Sequence, residues 1–155
     1  MAHFAELESK IDPTGFTSDT HLVVKRVIVV GNDVSTAAGP LGTNDMHVDG
    51  ETWCINFFKG GTWKQTSYNH NFRKQYCGKG FIYDTAKDKF LNQQPYDSWA
   101  LDENDDWQAP VTYPTDTADK NIQWDEENQR WTATDRSDPV NNFNWDVSGL
   151  TWVST

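Results

Sequence analysis

Five consecutive polar residues, Asp102-Glu103-Asn104-Asp105-Asp106, could bind a metal ion. Their side chains offer the oxygen ligands that calcium prefers. An EF-hand loop, however, needs a Gly at its sharp turn and a Glu at its end, and this segment has neither. Paired carboxylates could also hydrolyse a glycosidic bond, a possibility that only their separation in space would decide. We interpret the segment as a solvated turn that holds no metal.

The histidines and cysteines form no recognisable catalytic or metal-binding pattern. His70 lies between Asn69 and Asn71, a polar cluster that we interpret as a solvent-facing turn. Cys54 and Cys77 fit no zinc spacing and are interpreted as two buried free thiols, with a disulfide between them as the alternative. The sequence has no phosphate-binding Gly loop, zinc-protease helix or nucleophile elbow. It therefore predicts a protein that is not an enzyme and has no cofactor.

An aromatic residue followed by Asp, with a second aromatic residue seven positions after the first, recurs along the chain. The segments with this pattern are Tyr83–Phe90, Trp124–Trp131 and Trp145–Trp152. Leu101–Trp107 is a variant that is one residue shorter and begins with Leu, with Trp99 just upstream. The Asp can open a turn by accepting a backbone hydrogen bond, and Asn128 or Gly149 can take the left-handed conformation that the turn needs. The flanking rings then meet across two strands. The repeat predicts an array of aromatic β-hairpins.

The N-terminal segments predict a small β/α module. Residues 2–7 and 21–30 have the composition of strands that pair, and Ile11–Gly15 between them has turn chemistry. Residues 34–50 are rich in Gly, Ala, Thr and Asp and predict a long loop, which in a compact domain is usually functional or disordered. Residues 62–68 predict a further strand.

One short helix is predicted near residues 50–59. Asp49 can cap its start, and Gly60 or Gly61 can supply the left-handed residue that closes it. Its apolar side chains recur at helical spacing, and we expect them to be buried against the N-terminal strands. They are Trp53, Cys54, Phe57 and Phe58.

Proline next to aromatic residues separates the predicted hairpins, at Pro95-Tyr96, Pro110 and Tyr113-Pro114. Proline cannot join a central ladder, so we expect extended linkers that pack on neighbouring rings. The fold class predicted is mainly β with one short helix, a small N-terminal β/α module followed by an array of aromatic hairpins. The predicted regions are the module at 1–90, an acidic Trp/Pro-rich hairpin region at 91–137 and a C-terminal hairpin arm at 138–155. A lone hairpin is marginally stable, so the arm is expected to be detachable.

Charge is distributed unevenly, although the chain has a net charge of −10. Residues 1–90 carry ten basic and ten acidic side chains, whereas residues 91–155 carry three and thirteen. Most of the cations lie in residues 59–89. The acidic part argues against nucleic-acid binding. No apolar run approaches the ~18 residues of a membrane span, and His3, Glu6 and Glu8 interrupt any secretory signal.

A dense set of motifs lies between residues 51 and 131. They are Gly60–Asn69 (GGTWKQTSYN), Asn71–Lys74, Gly78–Asp84, Pro95–Trp99, Leu101–Glu103, Tyr113-Pro114 and Trp124–Glu127. With the opening Met1–Ala5, they resemble small proteins of marine tailed bacteriophages, cyanophages among them. The chain departs from that pattern in residues 9–22, where a tighter turn is expected, after Trp131, and at Cys77, where Ala is expected. The resemblance implies a virion component on the head exterior or the tail, and it carries over no catalytic residues.

We therefore expect a non-enzymatic virion structural protein, assembled in the host cytoplasm. The leading hypothesis is a capsid decoration protein whose partners are the major capsid protein and copies of itself. The alternative is a tail or fibre component that binds host glycans through the Trp hairpins. For the rings themselves we favour the interpretation that they form the core, ahead of a protein interface and of glycan stacking. We expect charge and the last Trp hairpin to mediate docking. The candidate interface residues are Trp124, Trp131, Trp145, Trp152, Lys64, Arg73 and Lys74.

Overall fold

A computed structural model of the chain describes residues 1–9, 21–42 and 47–155. They form two compact units, Met1–Gln93 and Gln94–Thr155. Both units are built of antiparallel strands, and the described part of the chain has a single short helix, which lies in the first unit. This confirms the predicted fold class. The turn predicted at Ile11–Gly15 lies outside the described residues, as does most of the tighter turn expected within 9–22.

The first unit contains one five-stranded antiparallel sheet with the strand order β5-β1-β2-β6-β7. Its two long N-terminal strands pair as predicted, with Phe4 opposite Ile28 and a register shift between Glu6 and Leu7. The elements of this unit are β1 (Ala2–Ser9), β2 (His21–Val30), β3 (Ser35–Thr36), β4 (Gly39–Pro40), α1 (His47–Phe57), β5 (Thr62–Thr66), β6 (Ile82–Asp84) and β7 (Lys89–Leu91).

Helix α1 packs very closely on β1. Phe4 is fully buried in a cluster with Cys54 of the helix and Trp63 of β5. A Cβ atom on Gly50 would overlap the Phe4 ring, so this helical position requires a glycine. The predicted helix is thus present, beginning at His47, and one of its faces covers the start of the sheet.

Two local details of the N-terminal unit differ from the prediction. The segment predicted as a long loop at 34–50 contains the short hairpin of β3 and β4 and the first turn of α1. Asp49 lies inside that first turn, and the first left-handed residue after the helix is Lys59, with a φ of 58°. Lys59 precedes the two glycines, which also have positive φ angles.

The second unit contains a four-stranded sheet with the order β10-β11-β12-β13 and a separate two-stranded hairpin. Its elements are β8 (Ala100–Leu101), β9 (Trp107–Gln108), β10 (Asn121–Asp125), β11 (Arg130–Thr134), β12 (Asn142–Asp146) and β13 (Thr151–Ser154). The proline-containing linkers lie outside the strands and pack on rings as predicted: Tyr113, for example, meets Trp131 edge-on at a centroid distance of 4.9 Å.

The aromatic-Asp segments are hairpins, and each of their aspartates accepts backbone N–H bonds at the turn. Trp124 lies opposite Trp131, Trp145 opposite Trp152 and Tyr83 opposite Phe90. The left-handed residue comes one position later than predicted. It is Gln129 rather than Asn128, with a φ of 48°, and Leu150 rather than Gly149, with a φ of 50°.

The last hairpin is not a detachable arm. Strand β12 pairs with β11 through Thr132–Asn144, Ala133–Phe143 and Thr134–Asn142. Trp145, near the end of β12, is only 6% exposed and belongs to the core of this unit. Residues 138–155 therefore complete the sheet that begins at β10.

Candidate interaction surfaces

Arg73 connects the two edge strands of the five-stranded sheet. Its Nη1 donates to the carbonyl oxygen of Gln65 in β5 at 2.9 Å and to Glu51 Oε1 at 2.6 Å, and its Nε donates to Asp88 Oδ1 at 2.8 Å. The Arg73 carbonyl accepts the N–H of Phe90 in β7 at 3.0 Å. Glu51 also accepts the N–H of Gln65 at 2.8 Å. At these positions the edge hydrogen-bonding groups are already used, which closes them to an added strand.

The charges around Arg73 keep the network ionised. Burial acts to lower the pKa of Arg73, but the hydrogen bond and charge of Glu51, together with Asp88, outweigh it and raise that pKa. Burial acts to raise the pKa of Asp88, but a hydrogen bond from Tyr83 and the charge of Arg73 outweigh it and lower that pKa. The Arg73 side chain is only 8% exposed. This corrects the expectation that Arg73 is an interface cation, because its guanidinium is committed to the fold.

The two candidate lysines do not extend a basic patch around Arg73. Lys64 Nζ lies 3.5 Å from Glu51 Oε2 and 5.9 Å from the centre of the Tyr83 ring, and its side chain is 31% exposed. Lys74 has a φ of 71° and is half-buried, and it too has interactions within the chain. Lys64 can therefore contribute to the rim of a contact, whereas Arg73 cannot.

The candidate tryptophans form the core of the second unit. Trp124 and Trp131 are each 7% exposed, and their rings meet at a centroid distance of 5.0 Å. Trp99 packs edge-on against both, and Trp145 lies in the same cluster. Trp152 is half-buried beside them. The rings therefore form the core, as the favoured interpretation had it. Their assignment as candidate interface anchors is corrected, and the support for glycan stacking on them is removed, because buried faces cannot receive a partner.

An exposed aromatic surface lies instead on helix α1, and we define it as Trp53 and Phe57, which are one helical turn apart. Phe57 is 63% exposed. Trp53 stacks on Phe57 at 4.8 Å, and Phe58 meets Phe57 edge-on at 4.9 Å and stacks in turn on the buried Trp63. This corrects the prediction that Phe57 is buried against the N-terminal strands. The ring is exposed, yet neighbouring rings hold it in place.

A shallow depression lies on another side of helix α1, next to Ile55, which is 41% exposed. Its volume is about 290 Å³, and its walls include Ile55 of α1 and Trp63 and Lys64 of β5. Arg26 lies over the Phe58 ring at 4.8 Å and is bound to Glu6, so charged groups also stand close to the aromatic rings. An apolar centre bordered by charged groups is the usual arrangement of a protein-binding surface.

Sequence reasoning missed a second surface, on the sheet of the second unit. Strands β10, β11 and β12 alternate Trp and other apolar residues with polar ones, as in Asn121-Ile122-Gln123-Trp124, and the polar ones are uncharged except near the hairpin turns. The apolar set faces the core, so the Asn, Gln and Thr set lies on the opposite face. This alternation is the signal in the sequence that predicts such a face.

The described residues contain no obvious metal centre or membrane helix. Within residues 1–9, 21–42 and 47–155, no three His, Cys, Asp or Glu side chains come together to hold a metal ion. Asp102 uses one carboxylate oxygen to accept the N–H groups of Asn104 and Asp106 in its turn. His70 Nδ1 accepts the N–H of Tyr76 at 3.1 Å. No helix in these ranges is both long and apolar enough to span a bilayer.

Cys54 and Cys77 are free and buried, so we expect both thiols to be unreactive in the folded protein. Burial raises the pKa of Cys54 to about 12 and that of Cys77 to about 11. Only the thiolate reacts with iodoacetamide, so alkylation at about pH 8 should be slower than for a free cysteine by on the order of a hundredfold at Cys77 and a thousandfold at Cys54. Mass spectrometry of the two cysteine peptides over time measures this rate. Unfolding in guanidinium chloride should restore it, and fast native labelling of either peptide would contradict the burial.

Comparison with family models, with curated proteins and with solved structures finds no match to this chain.

Proposed function

We propose that the chain is a non-enzymatic structural protein of a bacteriophage virion, a capsid decoration protein that binds the head exterior. The observation that carries the proposal is Phe57, which is 63% exposed and yet held by Trp53 and Phe58. Large apolar side chains at the centre of a contact usually supply most of its affinity. A ring that is already ordered loses little conformational entropy when a partner covers it.

The resemblance of residues 51–131 to proteins of marine tailed phages supplies the partner class, the lattice of the major capsid protein. A decoration protein stays soluble until that lattice is complete and then attaches through a modest surface. The second unit, with thirteen acidic and three basic side chains, supports the first requirement, because like charges keep free copies apart. The aromatic surface supports the second requirement, attachment to the lattice through a modest surface.

Phe57 enters an apolar pocket of the capsid protein in this account. The depression beside Ile55 receives a side chain from the partner in return. Lys59, which follows the helix, and the Lys64–Glu51 pair lie at the rim, where charge mainly steers encounter. The candidate interface thus moves from the Trp hairpins of the second unit to the helix of the first.

Replacing Phe57 with Glu should reduce binding to the particle by about thirtyfold or more, the effect of losing an anchor of ~2 kcal/mol. The charge also has to be desolvated in an apolar contact, which adds to the loss. Virions grown without the gene provide empty sites. Adding purified protein at a series of concentrations and measuring the bound copies by sedimentation gives the affinity.

The matched control is Val29→Glu, which places the same charge at another exposed apolar position of the first unit, 55% exposed. It should bind the particles as the unmodified protein does, and both variants should retain the near-ultraviolet circular dichroism of a folded chain. If Phe57→Glu and Val29→Glu bind equally well, the aromatic surface is not the attachment site. If the unmodified protein does not bind particles at all, the decoration function is overturned.

A further inference from the structure

The face of the second sheet opposite the tryptophans carries two neighbouring rows of carboxamides and hydroxyls, which we call the amide face. Its residues are Asn121, Gln123, Thr132, Thr134, Asn142 and Asn144. The strand register arranges them in two rows across three strands. Thr134 lies between Asn121 and Asn142 in one row, and Thr132 lies between Gln123 and Asn144 in the other. Each row therefore places a carboxamide on either side of a hydroxyl.

The four carboxamides are not used by the fold. Within the part of the chain that the structure describes, the side chains of Asn121, Gln123, Asn142 and Asn144 make no hydrogen bond to the protein. Other exposed amides of this unit do make such bonds: Asn128 binds Asp125, and Asn141 binds Asp135 and Ser137. A carboxamide offers two donors and an acceptor oxygen, so the face presents many unused groups of both kinds.

The two rows carry no charge, although the unit is rich in it. Residues 94–155 contain sixteen charged side chains, and none belongs to the rows. By the same alternation Asp125, Arg130 and Asp146 lie on this face beside the rows. All three are engaged within the fold: Asp125 pairs with Arg130 at 3.2 Å, and Asp146 accepts the N–H of Ser148 at 3.0 Å. Rows without charge can be covered by a neutral ligand without desolvating an ion.

The amide face is also concave. It forms a depression of about 260 Å³, lined by the two rows and closed at one end by Thr155. Sites for drug-sized molecules usually measure about 300–1,000 Å³, so this depression suits a small molecule or a short part of a longer chain. The Asp125–Arg130 ion pair lies beside the rows and outside the depression, which leaves the floor of the depression open to hydrogen bonding.

We propose that the amide face binds a neutral polyhydroxylated ligand, a glycan chain. Each sugar hydroxyl both donates and accepts a hydrogen bond, and adjacent hydroxyls can pair with the N–H and C=O of one carboxamide. An anionic ligand would find no cation in the rows and would meet an acidic unit, and a cationic ligand would find no carboxylate in the rows. Rows of side chains spaced by neighbouring strands, ~4.8 Å apart, can follow successive hydroxyls of a chain.

This inference goes beyond the decoration function and does not depend on it, because the amide face and the aromatic surface share no residue. The probes are a set of immobilised neutral oligosaccharides, with sialylated and sulfated oligosaccharides as the anionic arm. The full chain, labelled with ¹⁵N, is then titrated with the best neutral probe. We expect binding within the neutral arm and shifts of the side-chain NH₂ signals of Asn121, Gln123, Asn142 and Asn144.

The discriminating variant is Gln123→Glu with Asn144→Asp, which preserves side-chain shape but replaces two donors with charge. Its affinity for the neutral probe should fall by about tenfold or more, because hydrogen bonds are lost and carboxylates must be desolvated. The matched control is Gln129→Glu, the same chemical change at the exposed tip of the β10–β11 hairpin, which should bind as the unmodified protein does.

Several outcomes would overturn the proposal. The first is no binding to any neutral probe at millimolar concentration, and the second is binding confined to the anionic arm. The third is neutral binding that survives Gln123→Glu with Asn144→Asp in a folded protein. If the same variant instead abolishes binding to a protein partner while no glycan binds, the amide face is a protein-docking surface, and the glycan assignment is wrong.

Discussion

Replacing Arg73 with Ala should destabilise the first unit by about 3–5 kcal/mol, the range for breaking a buried ion pair. The substitution leaves Glu51 buried, with Lys64 at 3.5 Å as its remaining cation. It also removes the donor that satisfies the Gln65 carbonyl at the edge of β5. A single domain is typically stable by only about 5–15 kcal/mol, so this loss is a large fraction of the total. Hydrogen exchange of the β5 and β7 peptides across a denaturant series measures it.

Arg73→Lys and Lys79→Ala serve as the matched variants. Lysine keeps the charge but cannot bind Asp88 and Glu51 together through a planar fork, so it should recover only part of the loss. Lys79 is an exposed cation of the same unit, and its removal should change the free energy of unfolding by less than about 0.5 kcal/mol. If Arg73→Ala is as mild as Lys79→Ala, the network does not hold the sheet edges.

Replacing Trp131 with Ala should destabilise the second unit by about 3–5 kcal/mol, the usual result of truncating a buried aromatic side chain. Trp131 meets the rings of Trp99, Trp124 and Tyr113, and its Nε1 donates to the Val111 carbonyl at 2.9 Å. A unit of this size buries too little apolar surface to absorb such a loss easily. We therefore expect the near-ultraviolet circular dichroism of the second unit to be largely lost at 37 °C.

Trp152→Ala is the comparison for this prediction. Trp152 is half-buried and packs on Trp145 from the edge strand, so its truncation should cost clearly less than that of Trp131. Hydrogen exchange of the β10–β13 peptides measures both variants on one scale. Equal costs would mean that the tryptophans do not form the core described here. An effect confined to peptides of the first unit would mean the same.

The hairpins could be predicted from the sequence because they depend on neighbouring residues. An aspartate that caps its own turn and two rings seven positions apart lie within eight residues, as in Trp124–Trp131. The exact turn could not be predicted by residue preference. Gln129 and Leu150 take the left-handed conformation although Asn128 and Gly149 precede them, because strand register sets which position must turn.

The role of Arg73 could not be predicted, because its partners are distant in the sequence. Asp88 lies 15 residues away and Glu51 lies 22 residues away, so no local pattern joins them. A count of cations in residues 59–89 suggested a basic surface. In the structure Arg73 instead lies between β5 and β7 and hydrogen-bonds to both strands.

The interaction surfaces, too, could be predicted from the sequence only in part. The alternation of Asn and Trp in β10 and β12 was available in the sequence and indicates one polar and one apolar face. Which face is covered depends on Trp99 and Val111, in the segments before and after the β8–β9 hairpin, which pack on the tryptophan side. Phe57 was expected inside because its helical spacing matches Trp53, but these two rings stack on each other at the outer side of the helix.

The central claim is that the protein is bound to the outside of the phage head, and its position on purified virions tests this most directly. Gold-labelled antibody against the full chain is applied to intact particles, and particles grown without the gene serve as the control. The account predicts label over the head of intact particles, at many copies per virion, and none on the control. Label confined to the tail would contradict the account. So would intact virions that bind no antibody and in which mass spectrometry finds no copy of the chain.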